Sequence, residues 1–168
     1  MTTLPMDSRG VVIGLGSIFL GDAGVGIRVV RLVANRLSHP VRVVESHAGG
    51  LLLLEEMMAA DRVVIVDAVL DASRKPGDLI LAGIDGVGQH TACAHDCSLS
   101  QAVALGRAMG LPLPANHCIH LLTIVVETID RFSDVLNAPI AAALPTACNI
   151  VEQWLTQEEP PGAFRMAA

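Results

Sequence analysis

The run Val11-Val12-Ile13-Gly14-Leu15-Gly16-Ser17-Ile18-Phe19-Leu20-Gly21-Asp22-Ala23-Gly24-Val25-Gly26 decides how this chain is read. Its apolar, β-branched start reads as a strand buried on both faces. A glycine-rich turn carrying one acid, Asp22, follows. A helix is then expected from Gly24 or Val25, with Ile27, Val30, Ala34 and Leu37 along its apolar side. In an open parallel α/β sheet, ligands sit beyond the carboxyl ends of the strands, so an acid just after the first strand is well placed for chemistry.

Working outward, Val41-Arg42-Val43-Val44-Glu45 reads as a second strand, closed by Ser46-His47-Ala48-Gly49-Gly50, and residues 51–58 as a short helix. Val63-Val64-Ile65-Val66 is the clearest buried-strand signal and ends on Asp67-Ala68. Residues 73–78 form an exposed turn before a strand over 79–84, expected antiparallel at a sheet edge, and residues 83–89 form a loop. Asp96 or Ser98 can cap the next helix, whose Leu99, Ala102, Val103, Gly106 and Met109 fall at helical spacing before Gly110 stops it. The connector Leu111-Pro112-Leu113-Pro114 leads to a strand over 118–126, and a last helix spans 139–156. This alternation predicts a three-layer α/β/α domain around a mostly parallel, twisted five-stranded sheet. All 168 residues are expected to form one domain, with 1–9 and 157–168 as flexible tails.

The net charge of −6 and pI near 5.4 exclude a phosphate-backbone partner, since nucleic-acid binding leans on clustered Lys and Arg. Arg28, Arg31 and Arg36 share one helix and read as a solvated face. With three Phe, one Trp and no Tyr, base-stacking platforms are lacking as well. No apolar run is long enough to insert into a membrane. The first nine residues lack the basic-then-apolar order of a secretory signal, so a cytoplasmic location is expected, and with it reduced thiols at Cys93, Cys97, Cys118 and Cys148.

Three polar residues stand out by position: Asp22 after the first strand, Asp67 at the end of the third, and His95 just before a helix. Carboxylates and an imidazole at one end of a sheet are the ligand types that hold borderline divalent metals such as nickel or zinc. Each also has a plainer reading: Asp22 as a helix cap, Asp67 as an acid bonded to nearby backbone, His95 as a surface histidine. Gly14-Leu15-Gly16 could open a dinucleotide fingerprint, but Phe19 stands at the third glycine, where its ring would obstruct a pyrophosphate, and only Glu45 is available as the second-strand acid. Cys93-Ala94-His95-Asp96-Cys97 lacks the second ligand pair of a closed zinc site. A nucleophilic thiol at Cys93 or Cys97, paired with His117 or His120, has nothing nearby to lower its pKa. Both histidines read as packing or rim residues.

Taken together, the glycine-rich loop with Asp22, Val63-Val64-Ile65-Val66-Asp67-Ala68, Pro76-Gly77-Asp78 and His95 ahead of Leu99 resemble the hydrogenase maturation proteases, in the same order and at similar spacing from about Val11 to Trp154. The resemblance implies an aspartic-type endopeptidase that removes the C-terminal extension of a nickel-iron hydrogenase large-subunit precursor once nickel is inserted. The nickel is then the substrate's own, and the isolated protein is expected to be a monomer. The resemblance carries Asp67 and His95 over as metal-contacting residues, with Asp22 as the remaining acid of the loop and the candidate base. Two positions depart from the family pattern: Ser17 stands where it has asparagine, and Ala23 where it has the second acid. Either Asp22 swings in to replace the missing ligand, or His47 supplies an imidazole from the next loop. A non-catalytic relative that binds the large subunit as an assembly factor is the alternative from another class.

Overall fold

The computed structural model describes residues 10–37, 41–86 and 98–156. Five strands form one sheet: β1 (Gly10–Leu15), β2 (Val41–Ser46), β3 (Arg62–Leu70), β4 (Leu79–Gly83) and β5 (Ile119–Val126). Their spatial order is β2-β1-β3-β5-β4, parallel throughout except for β4, which pairs antiparallel with β5 at the edge. The central strands are buried on both faces because helices cover both. Helices α1 (Val25–Ala34) and α4 (Ala138–Thr156) pack over Val12, Val64, Val66, Leu122 and Ile124 on one face. On the other, α2 (Leu53–Met57) and α3 (Leu99–Ala108) pack over Val11, Ile13, Val63, Ile65 and Leu121. Successive residues of a strand point to opposite faces, so even-numbered β3 residues meet α1 and α4, and odd-numbered ones meet α2 and α3.

Several expectations shift by a turn or less. β3 does not stop at Val66 but runs to Leu70, because β5 continues beside it and pairs Asp67 with Thr123 and Ala68 with Ile124. The helix expected over 51–58 is a 3-10 turn at Gly50–Leu52 followed by the single turn of α2, since Gly50 adopts φ +62° and Met58 is already extended. His117 and Cys118 lie in a 3-10 turn before β5 rather than inside it. Ser98 is the cap of α3, with a full capping box to Gln101. α4 tolerates Pro145 in its interior on an exposed position, where the carbonyl it frees meets water. Among the described residues, no helix is long and apolar enough to cross a membrane, and Cys118 and Cys148 are free thiols. The expected tails, and the stretch containing Cys93, His95 and Cys97, lie outside the described residues.

Candidate functional site

The glycines after β1 bring three chain segments together, a role different from cradling a phosphate. A Cβ on Gly14 would lie 2.5 Å from the Gly26 carbonyl oxygen, and one on Gly26 only 2.3 Å from Val66 O and 2.4 Å from Leu15 O. The first turn of α1 therefore rests directly on the backbones of β1 and β3. Gly16 adopts φ +124°, and a Cβ there would meet the Ala23 carbonyl oxygen at 1.9 Å. Position 16 needs glycine for both conformation and space. The loop so formed is compact: Leu20 N donates to Ser17 O at 3.0 Å, Ala23 N to Leu20 O at 3.1 Å, and Ser17 Oγ accepts from Phe19 N at 3.4 Å. Ser17 thus supplies a side-chain turn bond of the kind an asparagine would make.

Asp22 lies in the 3-10 turn Gly21–Gly24 and is 4% exposed. It caps no helix: α1 begins after Gly24, and neither that helix nor the turn before it has a side-chain cap. Its carboxylate instead reaches across to the residue preceding α4. Oδ1 accepts from the Asn137 backbone N–H at 2.8 Å, and Oδ2 accepts from Asn137 Nδ2 at 2.7 Å. The Asn137 carbonyl accepts from Ile140 N and Ala141 N in the first turn of α4. Asp22 therefore fastens the loop after β1 to the start of α4.

The same two segments are joined again nearby. Leu20 and Ser133 form a parallel bridge, with Gly21 N donating to Ser133 O at 2.7 Å and Ser133 N to Phe19 O at 2.9 Å. Arg28 of α1 donates to the Asp134 carbonyl. Arg31 of α1 and Arg36 just beyond its end are exposed, as expected of a solvated face, and also pair with acids: Arg31 makes a paired salt bridge to Glu45 at 2.7 Å, and Arg36 reaches Glu152 of α4 at 3.6 Å. The Arg31 guanidinium holds the Glu45 carboxyl below its usual range. That pairing occupies the one acid that could have met a ribose, and the loop backbone closes on itself where a pyrophosphate would need to approach.

Asp67 is 2% exposed, near the carboxyl end of β3 beside Thr123, and its Oδ1 accepts from Ala68 N at 2.8 Å. As an odd-numbered β3 residue it points to the α2 and α3 face, whereas Asp22 is committed to the start of α4 on the other side. His47, after β2, lies against the loop: its Nδ1 is 2.7 Å from the Gly16 carbonyl oxygen. Since a carbonyl oxygen can only accept, Nδ1 is the donor in that bond, and Nε2 is the ring nitrogen left without this contact. Gly16 thus touches both residues, His47 through its carbonyl and Ala23 through the space a side chain would fill. Among the described residues, no three His, Cys, Asp or Glu side chains converge as a ligand set. His95 lies outside them.

The chain from residue 27 to 154 matches the model of the hydrogenase maturation protease family. The chain belongs to that family. It is 28% identical over 167 residues to the hydrogenase expression/formation protein HupD of Bradyrhizobium diazoefficiens, an alignment covering 92% of this chain and 83% of the relative. The HoxM protein of Azotobacter vinelandii is 26% identical over 161 residues, covering 92% and 76%. Among solved structures, the hydrogenase maturating endopeptidase HybD of Escherichia coli superposes with a TM-score of 0.70 at 23% identity, over 85% of this chain and 89% of that one. HycI of Thermococcus kodakarensis superposes with a TM-score of 0.67 at 18% identity, over 89% and 94%. The mostly parallel sheet with one antiparallel edge is thus the fold of the maturation proteases. Asn137, Ser133 and Phe132, which complete the loop, carry no signal in the sequence: they lie more than a hundred residues from Asp22 and belong to no spaced motif.

Proposed function

We propose that the protein is an endopeptidase that removes the C-terminal extension of a nickel-iron hydrogenase large-subunit precursor. Family membership supplies the reaction class, and one observation carries the site. Asp67 is a carboxylate almost fully buried near the carboxyl end of a central strand, where ligands of parallel sheets bind, and the loop after β1 packs beside it. In this reading Asp67 and His95 contact the nickel of the precursor and so register that insertion has occurred. Asp22 holds the loop that faces the precursor. It would act as a base or a ligand only after releasing Asn137. The reading is tested by mixing the purified protein with nickel-loaded precursor and following the precursor's mass. Loss of the C-terminal peptide supports it, and an unchanged mass with retained binding supports an assembly factor.

We further infer that His47 supplies the donor that Ala23 cannot. The supporting observation is the bond from Nδ1 to the Gly16 carbonyl, which makes Nδ1 the donor and leaves Nε2 to serve as the ligand atom, as outer-shell carbonyls do for metal-bound histidines. Titration calorimetry with nickel ions tests this without any cleavage reaction. His47→Ala lowers nickel affinity about tenfold or more, as His95→Ala does, and Ala23→Glu in the His47→Ala background restores it. Unchanged affinity in His47→Ala sinks the idea.

A further inference from the structure

The chain contains three phenylalanines, and two of them, Phe19 and Phe132, are stacked on each other at the surface. Their ring centroids are 6.4 Å apart with planes 10° from parallel, yet the residues are 58% and 82% exposed. Val135, three residues after Phe132, is 69% exposed. Exposed aromatic surface ordinarily collapses onto a neighbouring core. Here it is held out by the latch already described: the Leu20–Ser133 bridge, the two bonds from Asn137 to Asp22, and the contact of Arg28 with Asp134. A fixed apolar pair beside the glycine-rich loop offers a contact to a partner that reaches the loop.

We propose that the Phe19–Phe132 pair is a docking platform for an apolar side chain on the hydrogenase large-subunit precursor, next to the segment to be cut. This rests on the reading of the chain as a precursor-processing protease. Two observations favour that occupant. Phe19 belongs to the same turn as Asp22 and Ala23, so a protein that reaches the loop also meets the rings. The size of the patch argues against a second copy of this chain: at about 200 Å² per phenylalanine, the two rings expose roughly 280 Å², well short of the ~800 Å² per partner of a stable interface. A small rigid platform suits a substrate that must leave after cleavage.

The test uses Phe132→Asp and Phe132→Leu in the full chain with nickel-loaded precursor, reading kcat and KM by mass, binding to immobilised precursor, and self-association by sedimentation. Phe132→Asp is expected to raise KM and weaken binding about tenfold with kcat within about twofold, while Phe132→Leu retains most of the affinity. Phe132 is far too exposed for either change to unfold the protein, which a melting curve checks. An unchanged KM in Phe132→Asp with active wild type overturns the platform alone. A wild-type dimer that Phe132→Asp dissociates overturns it in favour of self-association. Wild type that neither binds nor cleaves the precursor overturns the protease reading and the platform together.

Discussion

The latch between Asp22 and Asn137 leads to the sharpest quantitative expectation. Replacing Asp22 with alanine removes two charge-assisted hydrogen bonds, at 2.8 and 2.7 Å, from a carboxylate that is 4% exposed. Such bonds contribute about 1.5–3 kcal/mol each. Asn137 is exposed, so its freed donors regain water and the lower end applies, giving roughly 3 kcal/mol for Asp22→Ala. Asn137→Ala keeps the backbone donor and costs about half as much. The double variant costs no more than Asp22→Ala alone, which gives a coupling of about 1.5 kcal/mol. At about 2–4 °C per kcal/mol for a domain of this size, Asp22→Ala melts roughly 6–12 °C lower. Thermal unfolding of the four proteins at pH 7 measures the cycle. A loss below about 1 kcal/mol for Asp22→Ala, or strictly additive single effects, would show that the carboxylate holds nothing together. The same variants separate latch from base. If Asp22 acts by holding the loop, Asp22→Asn and Asn137→Ala reduce cleavage by similar, modest factors, whereas loss of a general base reduces it about a hundredfold or more in Asp22→Asn alone.

Gly26→Ala is expected to destabilise by about 3 kcal/mol, because its Cβ meets two strand carbonyls that cannot give way. Gly83→Ala, with nothing within 4 Å, is neutral to slightly stabilising, and denaturant unfolding of the pair checks both. Pro145→Ala restores a hydrogen bond inside α4 and raises stability by about 1–2 kcal/mol after allowing for the looser unfolded chain; a lower melting temperature would contradict this. Burial of His120, which projects from β5 against the Trp154 ring, and then the nearby His117, push its pKa below the usual value. The unfolded chain then takes up the proton first as pH falls, so the stability from the neutral ring is complete above about pH 6.5 and is lost progressively below it. His120→Phe keeps a ring over Trp154 and removes that loss, so the variant gains on wild type in melting temperature between pH 7.5 and 5.5. A constant difference across that range counts against the assignment.

The fold was largely legible in the sequence because its signals are local. Four-residue β-branched runs such as Val63-Val64-Ile65-Val66 can be satisfied only by burial on both faces, and the helical spacing of Leu99, Ala102, Val103 and Gly106 marks α3, while the structure chose Ser98 over Asp96 as its cap. The antiparallel edge strand was legible too, since the short link from β3 leaves no room for a crossover helix. The extent of β3 was not, because it depends on β5 lying alongside, a pairing across more than fifty residues.

At the site the division is similar. The sequence by itself determined that the chain is a maturation-protease-like α/β domain, and that one acid follows its first strand and another sits after the apolar run of its third, because motif spacing and apolar runs are properties of consecutive residues. Only the tertiary structure decided what those acids do. Asp22 is a latch because Asn137, from the far end of the chain, arrives opposite it; Asp67 is buried because β5 extends the sheet around it; His47 donates from Nδ1 because the Gly16 carbonyl faces it. A carboxylate or imidazole takes its role from the donors and acceptors within about 3 Å of it. In this protein those partners come from segments that only folding brings together.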